Sequence, residues 1–437
     1  MINPEIFNTF NPPLRLTIHL KKYNKLKKNK KMTIGVGGST AKAELEKIQN
    51  MTLNVKAIQP EEYQMRIQKA VSIMKTTGVK SLYLNAGTNL YYFTGTKWSA
   101  SERMVGALLF EDGSLEYIVP KFEEGTFKKF MQIEGKINCW EEHESPSVLF
   151  GKILQSKNIN AGKIALDESA AYFLIDAITK ANSNYDFENA QPITTGCRIQ
   201  KSENEIAIIQ QAKEITMVVQ RAAARILYPG IKAETVVDFI NQAHIKAGIS
   251  SGSYFCIVLF ADDSQYPHGV TTPQDLKEND VVLIDTGCRL EGYLSDITRT
   301  YVYGTPTEAH IKIWNLEKAA QKAAFDAAQL GATCGSVDDA ARKVIAEGGL
   351  SPDYELPGLP HRVGHGTGLD IHEHPYLVRG SATVLQEGMV VSNEPMLCIP
   401  GQFGIRHEDH FYMTANGPKW FTTPMHSIDD PFGIDVA

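Results

Sequence analysis

The chain has 437 residues and a formal net charge of −6. It is too long for one ordinary hydrophobic core, which points to two domains of roughly 150–230 residues. No apolar run approaches 18 residues, so no membrane span is expected. Six cysteines, Cys139, Cys197, Cys256, Cys288, Cys334 and Cys398, show no CxxC spacing, which suits reduced thiols in a cytoplasmic protein and offers no pattern for thiol catalysis.

The first 31 residues end in the basic run KKYNKLKKNKK, Lys21 to Lys31, and lack the apolar stretch of a secretory signal. Such a run reads as a disordered tail, or as upstream sequence ahead of a translation start at Met32. Residues 1–50 are accordingly expected to form an extension outside the folded domains. Eight positive charges and one negative fall in the first 31 residues, so the remaining body is more acidic than the whole chain. Nucleic acid is not an expected partner of such a body.

From Pro60, EEYQMRIQKAVSIMKTTG predicts an amphipathic helix ending at Gly78, KSLYLNAG a strand, and ALLFEDGSLEYIVP a hairpin around Asp112–Gly113. Alternation of helix and strand continues to about Pro192, giving an α/β domain over residues 51–198. Ser202 stands three residues ahead of Glu205 in a capping-box pattern. The long amphipathic helix that follows opens a second domain over residues 199–437.

Four carboxylates and one imidazole lie in order down that second domain: Asp285 in VVLIDTG, Asp296 in YLSDITRT, His365 in RVGHGTG, Glu394 in VSNEP and Glu408 in IRHEDH. Alone, any one of them reads as a solvated side chain or a helix cap. As a set in one pocket, four ionised carboxylates repel by on the order of several kcal/mol, and two divalent cations would cancel them. Oxygen-rich ligation with one nitrogen suits Mn²⁺, Mg²⁺ or Co²⁺ better than a cysteine-rich structural zinc site. VVLID and GYLSDITRTYVY read as strands of a hairpin turning at Leu290 and Glu291, which sets Asp285 directly opposite Asp296. A bulge at Gly287 or Gly292 is the alternative that shifts this register.

Three more histidines stand near these residues. His268 sits in QYPHGV, and His361 and His372 bracket His365 in LPHRVGHGTGLDIHE. A lone loop histidine reads as a surface imidazole, but three around candidate ligands point to catalysis. Gly364, Gly366 and Gly368 argue against a helix there and suggest backbone running close to a bound group. The HExxH pattern of zinc proteases is absent. Arg406, two residues before Glu408, would face the same side of a strand and orient a ligating carboxylate.

DTG with an Asp eleven residues on, GHGTG with a His seven residues after its own, SNEP and RHED together resemble the pita-bread metallopeptidases over about residues 60–435. Within them the chain resembles the proline-specific branch, aminopeptidase P and prolidase, because an α/β domain precedes the catalytic one. The resemblance implies an α+β chain, with a pita-bread (creatinase/aminopeptidase-like) catalytic domain behind a smaller creatinase-type N-terminal domain. It implies two divalent metals, usually Mn²⁺ with Co²⁺ or Zn²⁺ as substitutes, held by Asp285, Asp296, His365, Glu394 and Glu408, with Asp296 and Glu408 bridging. His268 and His372 match the family's catalytic histidines, His361 a substrate-side histidine, and Arg406 the arginine behind the ligands. Glu394 is the candidate proton shuttle, and Arg362, by charge and position, a candidate grip on a proline carboxylate. The implied activity is hydrolysis of the Xaa-Pro bond at the N-terminus of peptides, with a dipeptide-restricted prolidase as the alternative, and the implied assembly is a homodimer or homotetramer. A creatinase-like amidinohydrolase and a non-catalytic binding protein share the fold, and the complete ligand set argues against both.

Overall fold

The computed structural model describes residues 32–435. Its first domain is built on a six-stranded mixed sheet in the spatial order Lys136–Trp140, Leu115–Pro120, Gly106–Phe110, Val79–Asn85, Lys163–Leu166, Asp186–Asn189. The central strand Val79–Asn85 runs antiparallel to Gly106–Phe110 and parallel to Lys163–Leu166. It is buried at all positions but one, as expected of a strand covered on both faces. The helix Pro60–Thr77 starts with its proline in the first turn and ends at Gly78, whose φ of 77° closes the last turn in the left-handed conformation. The predicted hairpin turns at Gly113, φ 82°.

In the second domain the helix Glu203–Arg225 begins with both reciprocal bonds of the Ser202–Glu205 capping box. It packs on the strand Val281–Leu290, which lies between Ser253–Phe260 and Ile297–Val302. A five-stranded sheet follows in the order Glu373–Leu377, Gly364–Gly366, Val390–Asn393, Asp409–Thr414, Gly417–Trp420, beside a ribbon of Met396–Ile399 with Phe403–Arg406. The helices Glu308–Ala327 and Cys334–Glu347 pack on each other. Among the described residues no helix is long and apolar enough to cross a membrane, and all six cysteines are free.

Two expectations need correcting here. Residues 32–50 are not an extension: Thr33 donates to the Gly304 carbonyl, Gly37 N–H to Ala224 O, and Val36 and Ile48 are buried against the second domain. TIGVGGST has no periodicity, and its turns use positive φ at Gly35, Gly37 and Gly38, so pattern reading had nothing to register. Residues 1–31, with the basic run, lie outside the described residues. The second correction concerns register. The hairpin turns at Glu291 and Gly292, with φ of 48° and 90°, one residue later than expected. Asp285 therefore pairs with Thr298, and Asp296 lies two residues short of that partner. Because side chains alternate with period two, Asp285 and Asp296 still share a face, as diagonal rather than direct neighbours.

Candidate metal centre

The five candidate ligands come from strands or strand ends that meet in the second domain. Asp285 lies within the strand Val281–Leu290, Asp296 just ahead of Ile297–Val302, and His365 at the middle of Gly364–Gly366. Glu394 immediately follows Val390–Asn393, and Glu408 sits between Phe403–Arg406 and Asp409–Thr414. Asp285, Asp296, His365 and Glu408 are buried. Asp296, His365 and Glu408 offer ligand atoms that all lie within 4.8 Å of one another, a candidate metal-binding cluster. Glu394 joins it through His365 Nε2, 2.9 Å from Glu394 Oε1 and 3.8 Å from Asp296 Oδ2.

A hydrogen-bonded layer supports these side chains. Arg406 Nη2 donates to Asp285 Oδ2 at 2.6 Å, and its Nε donates to Thr298 Oγ1 at 2.9 Å. Thr298 in turn donates to Glu408 Oε2 at 2.7 Å. Ser392 accepts from the His365 N–H at 2.8 Å and donates to Glu394 Oε1 at 3.0 Å. His365 Nδ1 lies 3.0 Å from Gly366 O, to which its N–H donates, so Nε2 is the nitrogen that faces the carboxylates and would become the ligand atom once a metal displaced its proton. Each carboxylate of the Asp285 and Glu408 pair spends one oxygen on this layer. The other oxygen of each, Asp285 Oδ1 and Glu408 Oε1, is buried with no hydrogen-bond partner.

Electrostatics point the same way. Burial pushes the Asp285 and Glu408 carboxyls up, strongly for Glu408, with repulsion among Asp285, Asp296, Glu394 and Glu408 adding to it. Burial and then the neighbouring Asp285 bring Asp296 to about 8. Burial would raise Glu394 too, but the adjacent His365 outweighs it and holds that carboxyl far below its usual range. Burial and mutual repulsion thus oppose full ionisation of the cluster. The orphaned oxygens, the Nε2 of His365 turned toward the carboxylates and this crowding of acidic groups together fit a pair of divalent cations.

Above the cluster a cleft of about 480 Å³ is lined by His268, His361, Arg362, His365, His372, Glu394 and Arg406. His361 Nδ1 contacts Arg362 O at 2.7 Å, and its Nε2 is buried without a partner. The Arg362 guanidinium lies over the Tyr376 ring, 4.3 Å from its centroid. The His372 ring meets the His365 ring edge to face at 4.3 Å. Desolvation and the neighbouring His365 push His372 down to about 4. Of the sequence-predicted site residues, Asp296, His365 and Glu408 form the cluster, His268, His361, Arg362, His372, Glu394 and Arg406 line the cleft, and Asp285 is tied to Arg406.

Two glycines of GHGTG have a packing role that the sequence did not reveal. A Cβ on Gly364 would lie 2.0 Å from Ser392 O, and one on Gly366 2.4 Å from His374 O. Gly364 and Gly366 thus allow neighbouring strands to close on His365. Sequence reasoning also missed Thr298 and Ser392. Thr298 lies two residues past Asp296 and Ser392 two before Glu394, so the alternation that singled out Arg406 would have found both.

A buried oxygen-rich cluster under an open cleft defines a divalent-metal hydrolase. The sequence matches the Metallopeptidase family M24 over residues 207–415 and the Creatinase/Prolidase N-terminal domain over residues 66–200. It is 32% identical over 353 residues to a putative dipeptidase of Bacillus subtilis (strain 168), covering 80% of this chain and 96% of that one. It is 31% identical over 359 residues to the Xaa-Pro dipeptidase of Pyrococcus furiosus, covering 82% and 97%. The crystal structure of the dipeptidase PepE from Mycobacterium ulcerans matches with a TM-score of 0.78 at 29% identity, covering 85% and 99%. The chain belongs to metallopeptidase family M24, with a pita-bread catalytic domain behind a creatinase-type N-terminal domain, and divalent metal is part of its chemistry.

Proposed function

We propose that this metallopeptidase is an Xaa-Pro dipeptidase in which Asp285, Asp296, His365, Glu394 and Glu408 hold two divalent ions, Mn²⁺ foremost. The observation that carries the reading is the pair of buried, unpartnered oxygens, Asp285 Oδ1 and Glu408 Oε1, on two carboxylates whose second oxygens are tied to Arg406 and Thr298. Relatives that bear the dipeptidase activity in their names support the dipeptide-restricted form over the aminopeptidase form.

An Xaa-Pro bond is a tertiary amide without N–H, so a protease that grips a backbone donor cannot engage it. The two ions, when bound, would activate a water molecule and polarise the Xaa carbonyl. The chain's own groups do the rest. Glu394, oriented by Ser392 and His365, takes a proton from the attacking water and passes it to the proline nitrogen. His372, neutral at pH 7, donates an N–H to the developing oxyanion, and His268 at the cleft holds the substrate backbone. Arg406 positions Asp285, beside which the substrate amino group rests. His361 and Arg362 lie on the substrate side, with Arg362 gripping the proline carboxylate. Assembly as a homodimer or homotetramer goes with this reading.

Hydrolysis of Ala-Pro beside Ala-Pro-Ala by the Mn²⁺-loaded protein tests it. Cleavage of the dipeptide alone is expected. Equal cleavage of the tripeptide would move the assignment to the aminopeptidase form, and cleavage of neither would overturn the proline reading.

A further inference from the structure

The seam between the two domains is held by charge. Arg198, last residue of the helix Gln191–Arg198 in the N-terminal domain, donates to Asn89 Oδ1 at 2.9 Å, Asp370 Oδ2 at 2.6 Å and Glu373 Oε2 at 2.5 Å. The remaining oxygens of the same two carboxylates are also taken: Thr88 Oγ1 donates to Asp370 Oδ1 at 2.6 Å, and Lys201 Nζ to Glu373 Oε1 at 2.6 Å. Arg198, Lys201 and Glu373 keep little solvent exposure, so the bonds to Glu373 are charge-assisted and shielded, whereas Asp370 is 42% exposed and its bond to Arg198 lies at the rim of the seam.

Asp370 and Glu373 bracket His372. Among the described residues the His372 ring makes no hydrogen bond, so its place follows from its edge contact with His365 and from the course of the loop that carries it. A cavity of about 240 Å³ opens on the same seam, with Arg198 and Gln191 on one wall and His372 and His374 on the other. Leu369 anchors the start of the loop in the core and Leu294 N–H donates to Gly368 O at 2.9 Å, while on the cavity side the ion pairs of Asp370 and Glu373 are the contacts that flank His372.

The geometry points to Arg198 as a positioning residue for His372: by spanning Asp370 and Glu373 it fixes the loop 368–373, so that the N-terminal domain sets the turnover of the catalytic site as well as covering it. This inference rests on the assignment of His372 to the reaction.

A double-mutant cycle on the Mn²⁺-loaded protein with Ala-Pro tests the coupling. Arg198→Ala is expected to lower kcat about 10- to 100-fold with KM little changed, the scale of a displacement near 1 Å at a reacting group. In a His372→Ala background the same substitution should cost nothing more. Arg198→Lys, which keeps the charge but loses the fork that reaches both carboxylates, should give an intermediate loss and serves if the alanine variant does not fold. A purely structural role would make the two losses additive, and additivity or an undiminished kcat overturns the proposal. Hydrogen exchange of the segment 368–376 gives a readout free of any substrate. It should quicken in the Arg198 variants while the strands 281–302 stay protected, and unchanged exchange also overturns the coupling. Failure of the unmodified protein to cleave Ala-Pro would sink the peptide reading alone, leaving the exchange result to decide the coupling.

Discussion

Thr298 Oγ1 joins the two halves of the candidate metal centre, accepting from Arg406 and donating to Glu408. Removing that hydroxyl with Thr298→Val keeps the shape of the side chain but frees Glu408 to rotate and leaves Arg406 Nε unpaired. Loss of such a supporting bond typically costs about 10- to 100-fold in metal affinity. The expected result is weaker Mn²⁺ binding by calorimetry in Thr298→Val and near-normal binding in Thr298→Ser. Equal affinity in all three proteins would mean the layer behind the ligands does not orient them. At this scale the candidate set that the structure brings together was legible, because each member sits beside a glycine, a proline or a β-rich apolar run and not on a charged helical face. Arg198, Asp370 and Glu373 were not. Their importance comes from contacts between residues more than 170 positions apart, and sequence spacing carries no trace of it.

The hairpin Val281–Val302 is the element on which the centre depends most. Gly287 lies where its strand crosses the chain that delivers Asp296, and a Cβ there would stand 1.8 Å from Ser295 O. Neither partner is a flexible side-chain tip, so Gly287→Ala must displace backbone. It is expected to destabilise the protein by about 3 kcal/mol or more and to abolish Mn²⁺ binding, measured by denaturant unfolding and calorimetry. Wild-type stability would show the strands can part without harm. The existence and type of both strands were readable from their β-branched, alternating residues. Their register was not, since it turned on a left-handed conformation at Glu291, a residue with no intrinsic preference for it. A one-residue shift of the turn moved Asp285 from Asp296 to Thr298 as partner, and the shared face survived only because the displacement along the partner strand was two.

Across the whole molecule the domain seam ties stability to pH. Burial alone would raise the Glu373 carboxyl, but Lys201 and Arg198 overcome it and hold it at about 2 against an ordinary 4.5. A carboxyl depressed by folding contributes stability that is fully present above its unfolded value and lost as the pH falls through its folded one. The window therefore runs from about 4.5 down to about 2, with a contribution of at most a few kcal/mol. Glu373→Gln should flatten the decline of unfolding free energy across that range, and a slope equal to that of the unmodified protein would exclude the seam as its source. The two-domain plan was visible in the change from helix–strand alternation to the capped helix at Ser202. That residues 32–50 pack onto the second domain was not, because glycine-rich turns bury few side chains and leave no period to read.

The proposed Xaa-Pro cleavage rests on two divalent ions held by the buried Asp285, Asp296, His365 and Glu408 and the half-buried Glu394. Its most direct test is titration of metal-stripped protein with Mn²⁺, following bound metal and the initial rate of Ala-Pro hydrolysis together, with Glu408→Ala alongside. No activity without metal, full activity at two ions per chain, and weakened binding with no cleavage in the variant are expected. Undiminished hydrolysis by the stripped protein in the presence of chelator, or two bound ions without hydrolysis, would contradict the proposal.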